Sequence, residues 1–392
     1  MASTPKPRRR WFQYSFRTLL VLMLLVGCGL GSVAWKVRQV GKQREAVAAI
    51  VQHGGKVEQW SQPEWRLSAW QRTLIGYDYF AHPVSVSVGK AAVMEHLDGL
   101  PQLERLRVSG PITDADWAHL RWLPELKELN ISDSQLTDEG WERLKGLTQL
   151  RSLWLSDCQL TDAGLDRLNG LAQLRFLGLI GSPITDAGLE RLHALTQLRF
   201  LSEARATDAG AGQLQGLYLE YLSLFRTQVT DAGLEHLKEL TQLRYLDLSE
   251  TRVTDTGLEC LKGMLQLTEL SLRGTQVTDA GLEHLQELPQ LWDLDLENCS
   301  VTGTGLAHLK GLPQLGILDL SYTQVTDTAL ENFRGMSSLR KLNLSYTQVT
   351  DVGLEHLKGL TQLEELQLQR TQVTRKGKDM LQRALPSCDV SR

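Results

Sequence analysis

Cysteine is scarce in this chain of 392 residues: there are five, Cys28, Cys158, Cys260, Cys299 and Cys388. No two stand at a metal-ligand spacing such as C-x-x-C, and an odd number closes no disulfide framework. A cysteine zinc module and a disulfide scaffold are thereby excluded, and the redox compartment stays unread. Catalytic signatures are missing as well. The chain has no G-x-S-x-G elbow, no H-E-x-x-H pair, no phosphate loop and no Ser-His-Asp set that spacing singles out. An enzyme is not expected, nor a cofactor or a metal. A basic surplus is absent except at one end. Residues 1–45 hold nine Lys or Arg and one acid, which leaves 33 bases against 45 acids in the remainder, a balance of −12. Nucleic-acid binding needs bases to displace counterions. The acidic body therefore excludes that class and suits a partner of basic character.

Long apolar runs are absent too, with one exception. Leu19 to Trp35 carries no charge, preceded by Arg8, Arg9, Arg10 and Arg17 and followed by Lys36, Arg38, Lys42 and Arg44. Its length sits at the short end of what crosses a hydrocarbon core. The expectation is a basic segment at 1–18 and a transmembrane helix or signal anchor at 19–35. Bases on both flanks weaken the positive-inside rule. A basic start before an apolar run is how export signals begin, so the body is placed on the non-cytoplasmic side. Two rival readings use the same residues. Leu25-Val26-Gly27-Cys28 resembles a lipobox, with Cys28 lipidated after cleavage, and Ser32-Val33-Ala34 reads as a cleavage site that releases a secreted body. Gly27, Gly29 and Gly31 lack the spacing and preceding strand of a dinucleotide loop.

Residues 36–55 read as a juxtamembrane helix and linker, with the helix over 42–53 stopped by Gly54-Gly55. Residues 56–102 contain Trp60, Trp65, Trp70, Tyr77, Tyr79 and Phe80, and then Val84, Val86 and Val88 alternate as in a strand. This stretch reads as an N-terminal cap, because a stack of repeats leaves its first apolar layer open.

Self-similarity dominates the remainder of the chain. Thr-Asp recurs with Asp at positions 114, 138, 162, 186, 208, 231, 255, 279, 327 and 351, mostly 24 residues apart, with Gly303 and Arg375 in the same register. A clean unit is Thr230 to Val253, TDAGLEHLKELTQLRYLDLSETRV. Thr230 or Asp231 offers an acceptor to free N–H groups at a helix start. Leu234, Leu237 and Leu240 fall on one face of a short helix, and Leu246 and Leu248 are at strand spacing. One unit cannot bury its own apolar face, whereas a stack can. Repeats are expected over 103–380 and a C-terminal cap over 381–392. The stretch 202–218 loses residues and leucines and gains Gly210, Gly212 and Gly216, so a thinned outer side or a kink is expected there.

The Thr-Asp-x-Gly-Leu pattern resembles the leucine-rich-repeat family, over about 80% of the chain. The full layout, with its basic start, apolar run and repeats, is similar to membrane-anchored repeat proteins of planctomycetes. The resemblance implies an α/β solenoid, curved, with a parallel sheet on the concave face and short helices on the convex face. It also implies binding of a protein or peptide rather than catalysis. The repeat arrays of F-box ubiquitin-ligase adaptors share the pattern, but no F-box-like segment precedes the repeats here. A structural or self-associating role in the cell envelope is the other alternative; oligomeric state is not readable.

Stacking turns repeat positions into columns about 5 Å apart. The column of Tyr245 reads Phe176, Phe200, Tyr221, Tyr245, Glu269 and Asp293. That of Asp247 reads Trp154, Gly178, Ser202, Ser223, Asp247, Ser271, Asp295 and Asp319. An aromatic patch grading into an acidic one is thus expected on the concave face, with Glu297 adding to the acid and Tyr322 and Tyr346 extending the rim. Rows of exposed aromatics mark binding centres, and acids steer a basic partner. Drift on a solvated face is the plainer alternative. His119, His236, His284, His308 and His356 form another column, with Cys260 and Asn332 in register; successive helices separate them too far to share one ion. Cys158 and Cys299 occupy a slot otherwise held by threonine, such as Thr251 and Thr275, and read as structural. The aspartate ladder is explained by helix capping, because its acids come one per coil rather than clustered as calcium requires.

Overall fold

The alternation of inward leucines resolves into one long sheet. The computed structural model describes residues 16–61, 81–89, 91–202 and 205–392, with side chains from residue 34 onward except Asp138. The expectations placed on the side chains of Cys28, Trp65, Trp70, Tyr77, Tyr79 and Phe80 lie outside the described residues. Among the described residues, the strands follow strict chain order: β1 (Lys56–Trp60), β2 (Pro83–Val88), β3 (Arg105–Ser109), β4 (Glu128–Ser132), β5 (Ser152–Ser156), β6 (Phe176–Ile180), β7 (Phe200–Ser202), β8 (Tyr221–Ser223), β9 (Tyr245–Asp247), β10 (Glu269–Ser271), β11 (Asp293–Asp295), β12 (Ile317–Asp319), β13 (Lys341–Asn343), β14 (Glu365–Gln367) and β15 (Asp389–Ser391). β1 pairs antiparallel with β2, and the later neighbours pair in parallel. Each parallel step needs a crossover. A short helical segment supplies it, α-helical as in Asp162–Arg167 and Asp231–Leu237, and a 3-10 turn as in Gly257–Gly263 and Gly281–Glu287.

The core is the line of leucines between sheet and helices. Leu234, Leu237, Leu243, Leu246 and Leu248 are fully buried, and they belong to one apolar cluster that runs from Ala46 to Val390. Each coil is thus sealed by its neighbours, as the repeat pattern requires.

The aspartate ladder does something other than cap its own helix. Asp231 Oδ1 accepts the Thr254 N–H at 2.8 Å, and its Oδ2 accepts the Thr254 hydroxyl at 2.6 Å. Asp255 holds Thr278 in the same way, Asp327 holds Thr350, and Asp351 holds Thr374. Each of these acids is a staple onto the next coil. The capping falls to threonine: Thr161 accepts from Gly164 N–H and Thr374 from Gly377 N–H. At Asp279 burial pushes the carboxyl up, but bonds from Thr302, Gly305 and Gly303 outweigh it and leave it below its usual value.

The staple also explains the glycine of Thr-Asp-x-Gly. A Cβ at Gly257 would overlap Asp231 Oδ1, and one at Gly353 would overlap Asp327 Oδ1. Where the acid is missing, the restriction lifts. Gly303 stands in place of Asp, and the following coil carries Ala329 in the glycine slot, its Cβ filling the space that a side chain at 303 would need.

Strands from β7 onward have three residues, whereas β3 to β6 have five. At several, a polar side chain at the strand end bends the chain off the ladder. Asp247 Oδ1 accepts the Ser249 N–H at 2.9 Å, Asp295 the Glu297 N–H at 2.9 Å, Asp319 the Ser321 N–H at 2.8 Å and Asn343 the Ser345 N–H at 3.0 Å. Such local bonds compete with sheet pairing. At the shortened unit, Phe200 still pairs with Tyr221, 21 residues on, and Asp208–Gly212 still forms a helical turn. The sheet register is unbroken across it.

At the N-terminus the helix expected over 42–53 ends at Gln52 and runs back without a break as one helix, α1 (Phe16–Gln52). Ala46 and Ile50 are buried and belong to the apolar cluster, so the end of α1 closes the first layer. Among the described residues no helix is long and apolar enough to cross a membrane. The side chains of 19–33, most of the expected anchor, lie outside the described residues.

Candidate functional site

The outward face of the sheet carries both columns read from the repeats. Phe176, Phe200, Tyr221, Tyr245, Glu269 and Asp293 stand in register on β6 to β11. Trp154 pairs with Gly178, Ser223 with Asp247, Ser271 with Asp295 and Asp295 with Asp319. Inward leucines between them, such as Leu222 and Leu246, fix which way these side chains point.

The aromatic residues form a ladder. Phe200 stacks on Tyr221 with ring centres 3.7 Å apart, and Tyr221 on Tyr245 at 4.0 Å. Phe176 lies 5.7 Å from Phe200, tilted, and Trp154 lies 5.2 Å from it across the column. Gly178 makes this last contact possible, because a Cβ there would strike the Trp154 ring. Rings stacked face to face cover one another, which stabilises by about 0.5–1.5 kcal/mol per pair. What remains open is the strip of ring edges and the terminal ring, Phe176, which is 42% exposed. Burial, followed by a hydrogen bond with Tyr221, holds the Tyr245 hydroxyl well above its usual pKa.

The acids divide into two kinds. Asp247, Asp295 and Asp319 form turns through Oδ1. Their second oxygens accept from Ser223, Ser271 and Asn343 at 2.9, 2.9 and 2.8 Å. They are therefore structural parts of the sheet edge that also carry charge. Asp293 has no such role. Burial first, and then Glu269, Asp295 and Asp319, push its carboxyl up to about 6. A raised folded pKa means that Asp293 opposes folding above pH 6, and that this penalty fades as pH falls toward the ordinary aspartate range. Asp293→Asn is expected to raise stability by about 1 kcal/mol at pH 7, after allowance for its partial exposure. The gain should vanish near pH 4; urea unfolding at the two pH values measures it.

Column reading missed where the acidic zone ends. Ile317 and Lys341 continue the Tyr245 column, and Arg273 pairs with Glu297 at 3.3 Å. Reading two further repeats shows the first limit, and the D-L-S tripeptide signals the turn role. Tyr322 and Tyr346 stack at 4.1 Å on the rim, both with positive φ. Carboxylate oxygens of Asp295, Glu297 and Asp319 come within 4.8 Å of one another. Two of these acids hold turns and the third faces Arg273. In the histidine column, Arg334 donates to His356 Nδ1 at 2.7 Å and Gln286 meets His308 Nδ1 at 2.8 Å, contacts between coils. Cys299 Sγ donates to Leu272 O at 3.0 Å and is buried, as is Thr275, whose hydroxyl bonds the same carbonyl at 2.6 Å.

Comparison with known proteins bears on this geometry. A leucine rich repeat family model matches residues 241–301 and 304–373, and a second matches 124–144 and 146–168. Among solved structures, an internalin from Listeria monocytogenes is 25% identical with a TM-score of 0.59, over 82% of this chain and 92% of that one. TLR13 in complex with ssRNA13 is 21% identical with a TM-score of 0.50, over 72% of this chain and 43% of that one, and shares the fold alone. A Leptospira interrogans LRR protein is 17% identical with a TM-score of 0.48, covering 79% of this chain and 89% of that one. No curated protein matches the chain.

Proposed function

We propose that this chain, which matches leucine rich repeat models and has their coil, is a membrane-anchored binding scaffold of the leucine-rich-repeat family. It takes a protein or peptide of basic character on the outward, concave face of its sheet. Arrays of this family are typically non-enzymatic scaffolds, and Asp247, Asp295 and Asp319 on this face serve to hold turns. The observation that carries the reading is the ladder from Phe176 to Tyr245, in register, abutting the carboxylates of Glu269, Asp293, Asp295 and Asp319. A strip of aromatic edges ending in the exposed Phe176, on a face that solubility would make polar, favours a contact role. The adjoining negative field speeds encounter with a cationic partner.

The apolar, uncharged run 19–35 supports an anchor there, with the repeats on the non-cytoplasmic side. A lipid on Cys28 remains the alternative form of the same attachment.

The test uses the full chain in detergent as bait. Tyr221→Ala with Tyr245→Ala removes the centre of the ladder; Asp247 stays, because its loss would open a turn. Partners retained by the native chain should fall at least tenfold on the double variant, at unchanged circular dichroism. Equal retention would remove this face from the account.

A further inference from the structure

Helix α1 has no break between the apolar run and the repeat core. Val40 is buried, five residues beyond Trp35, and further on Ala46 and Ile50, one helical turn apart, are buried too. The contact is close and specific. Gly99 lies so near α1 that a Cβ on it would come 2.8 Å from Ala46 Cβ and 2.9 Å from the Lys42 carbonyl. Gln43 Nε2 donates to the Ala81 carbonyl at 2.9 Å. Trp35 and Lys36 line one crevice with His82, Gly99, Leu100 and Pro101. The cap therefore packs on α1 at Lys42, Gln43 and Ala46, and the crevice beside that contact reaches the last residue of the apolar run. At 1.5 Å per residue, Val40 stands roughly 8 Å along the axis from Trp35.

We propose that α1 is a single rigid element, both membrane anchor and first layer of the core, that seats the cap directly on the headgroup layer. This rests on the anchor reading of 19–35. The occupant of this end of the molecule is an anionic lipid surface. Trp35 is 63% exposed, at the depth where tryptophan partitions to the interface. Lys36, Arg38, Lys42 and Arg44 follow within nine residues, on an otherwise acidic body. Juxtamembrane bases of this density are drawn to anionic headgroups. The consequence is geometric: the repeat sheet leaves the bilayer at a fixed height and angle, instead of swinging on a tether.

The test is made on the full chain in nanodiscs of phosphatidylglycerol and phosphatidylcholine. A spin label at Asp98→Cys, on the exposed side of the cap, is measured against labelled lipid headgroups. A second protein carries Gly-Gly-Ser-Gly inserted after Arg38. The native helix should give one narrow distance distribution, and the insertion a distribution at least twice as wide. Equal widths would overturn the rigid seat while leaving the anchor intact. Failure of the native chain to float with vesicles of the same lipids would overturn the anchor reading, and the seat with it.

Discussion

Gly257→Ala is expected to destabilise the protein by about 2 kcal/mol, although alanine normally favours a helix interior by about 1 kcal/mol over glycine. The reversal of sign comes from the staple. The new methyl group occupies the position of Asp231 Oδ1, and displacing that carboxylate breaks its two bonds to Thr254. Gly359 has nothing near its missing side chain, so Gly359→Ala serves as the neutral control. The exception within the array gives a sharper form of the test. Gly303→Asp alone should be harmful, since Ala329 fills the space and Gly303 has φ of 115°. Adding Ala329→Gly should recover part of the loss, with a coupling of about 1 kcal/mol or more in a double-mutant cycle. Urea unfolding of the four proteins measures it; strict additivity would mean that the Asp–Gly pairing is coincidence.

Removing α1 carries the largest expected effect. A chain beginning at Lys56 loses Ala46 and Ile50, which close the first layer over Val93, Met94 and Leu97. Solenoids depend on such end layers for solubility, and truncating a buried isoleucine to alanine already costs about 2–5 kcal/mol. The truncated chain should aggregate, or lose amide protection first in β2 to β4 while β9 to β14 stay protected. Even protection along the sheet would show that α1 is dispensable. A fragment starting at residue 46 would cut the helix between Gln43 and Ile50 and sever the bond to Ala81.

These two cases also mark what was legible in the residues. The period of 24 reveals the coil, because leucine burial repeats with it, and strand alternation then fixes the columns. The pairing of Phe200 with Tyr221 across a shortened unit was predictable for that reason. The staple was not, since a hydrogen bond from one coil to the next leaves no spacing signal different from that of a helix cap. The Asp–Gly relation is visible only when Gly303 is set beside Ala329. The backward extent of α1 was hidden for another reason. Residues 42–53 have a helical pattern of their own, and nothing local says whether it continues backward through Gly41 or that Val40, Ala46 and Ile50 face a core. At the candidate site the acids were legible as charge, and their turn role only through the D-L-S tripeptide of Asp247 and Asp319, which Asp295 lacks.

The central claim is that the partner lies on the ladder. It is tested most directly by placing a photo-reactive phenylalanine analogue at Tyr221, on the sheet, and at Glu259, on the opposite helical side, in the full chain in its own cells. The account predicts a discrete crosslinked product from position 221 and none from 259. Products from 259 alone, or equal yields from both, would contradict it.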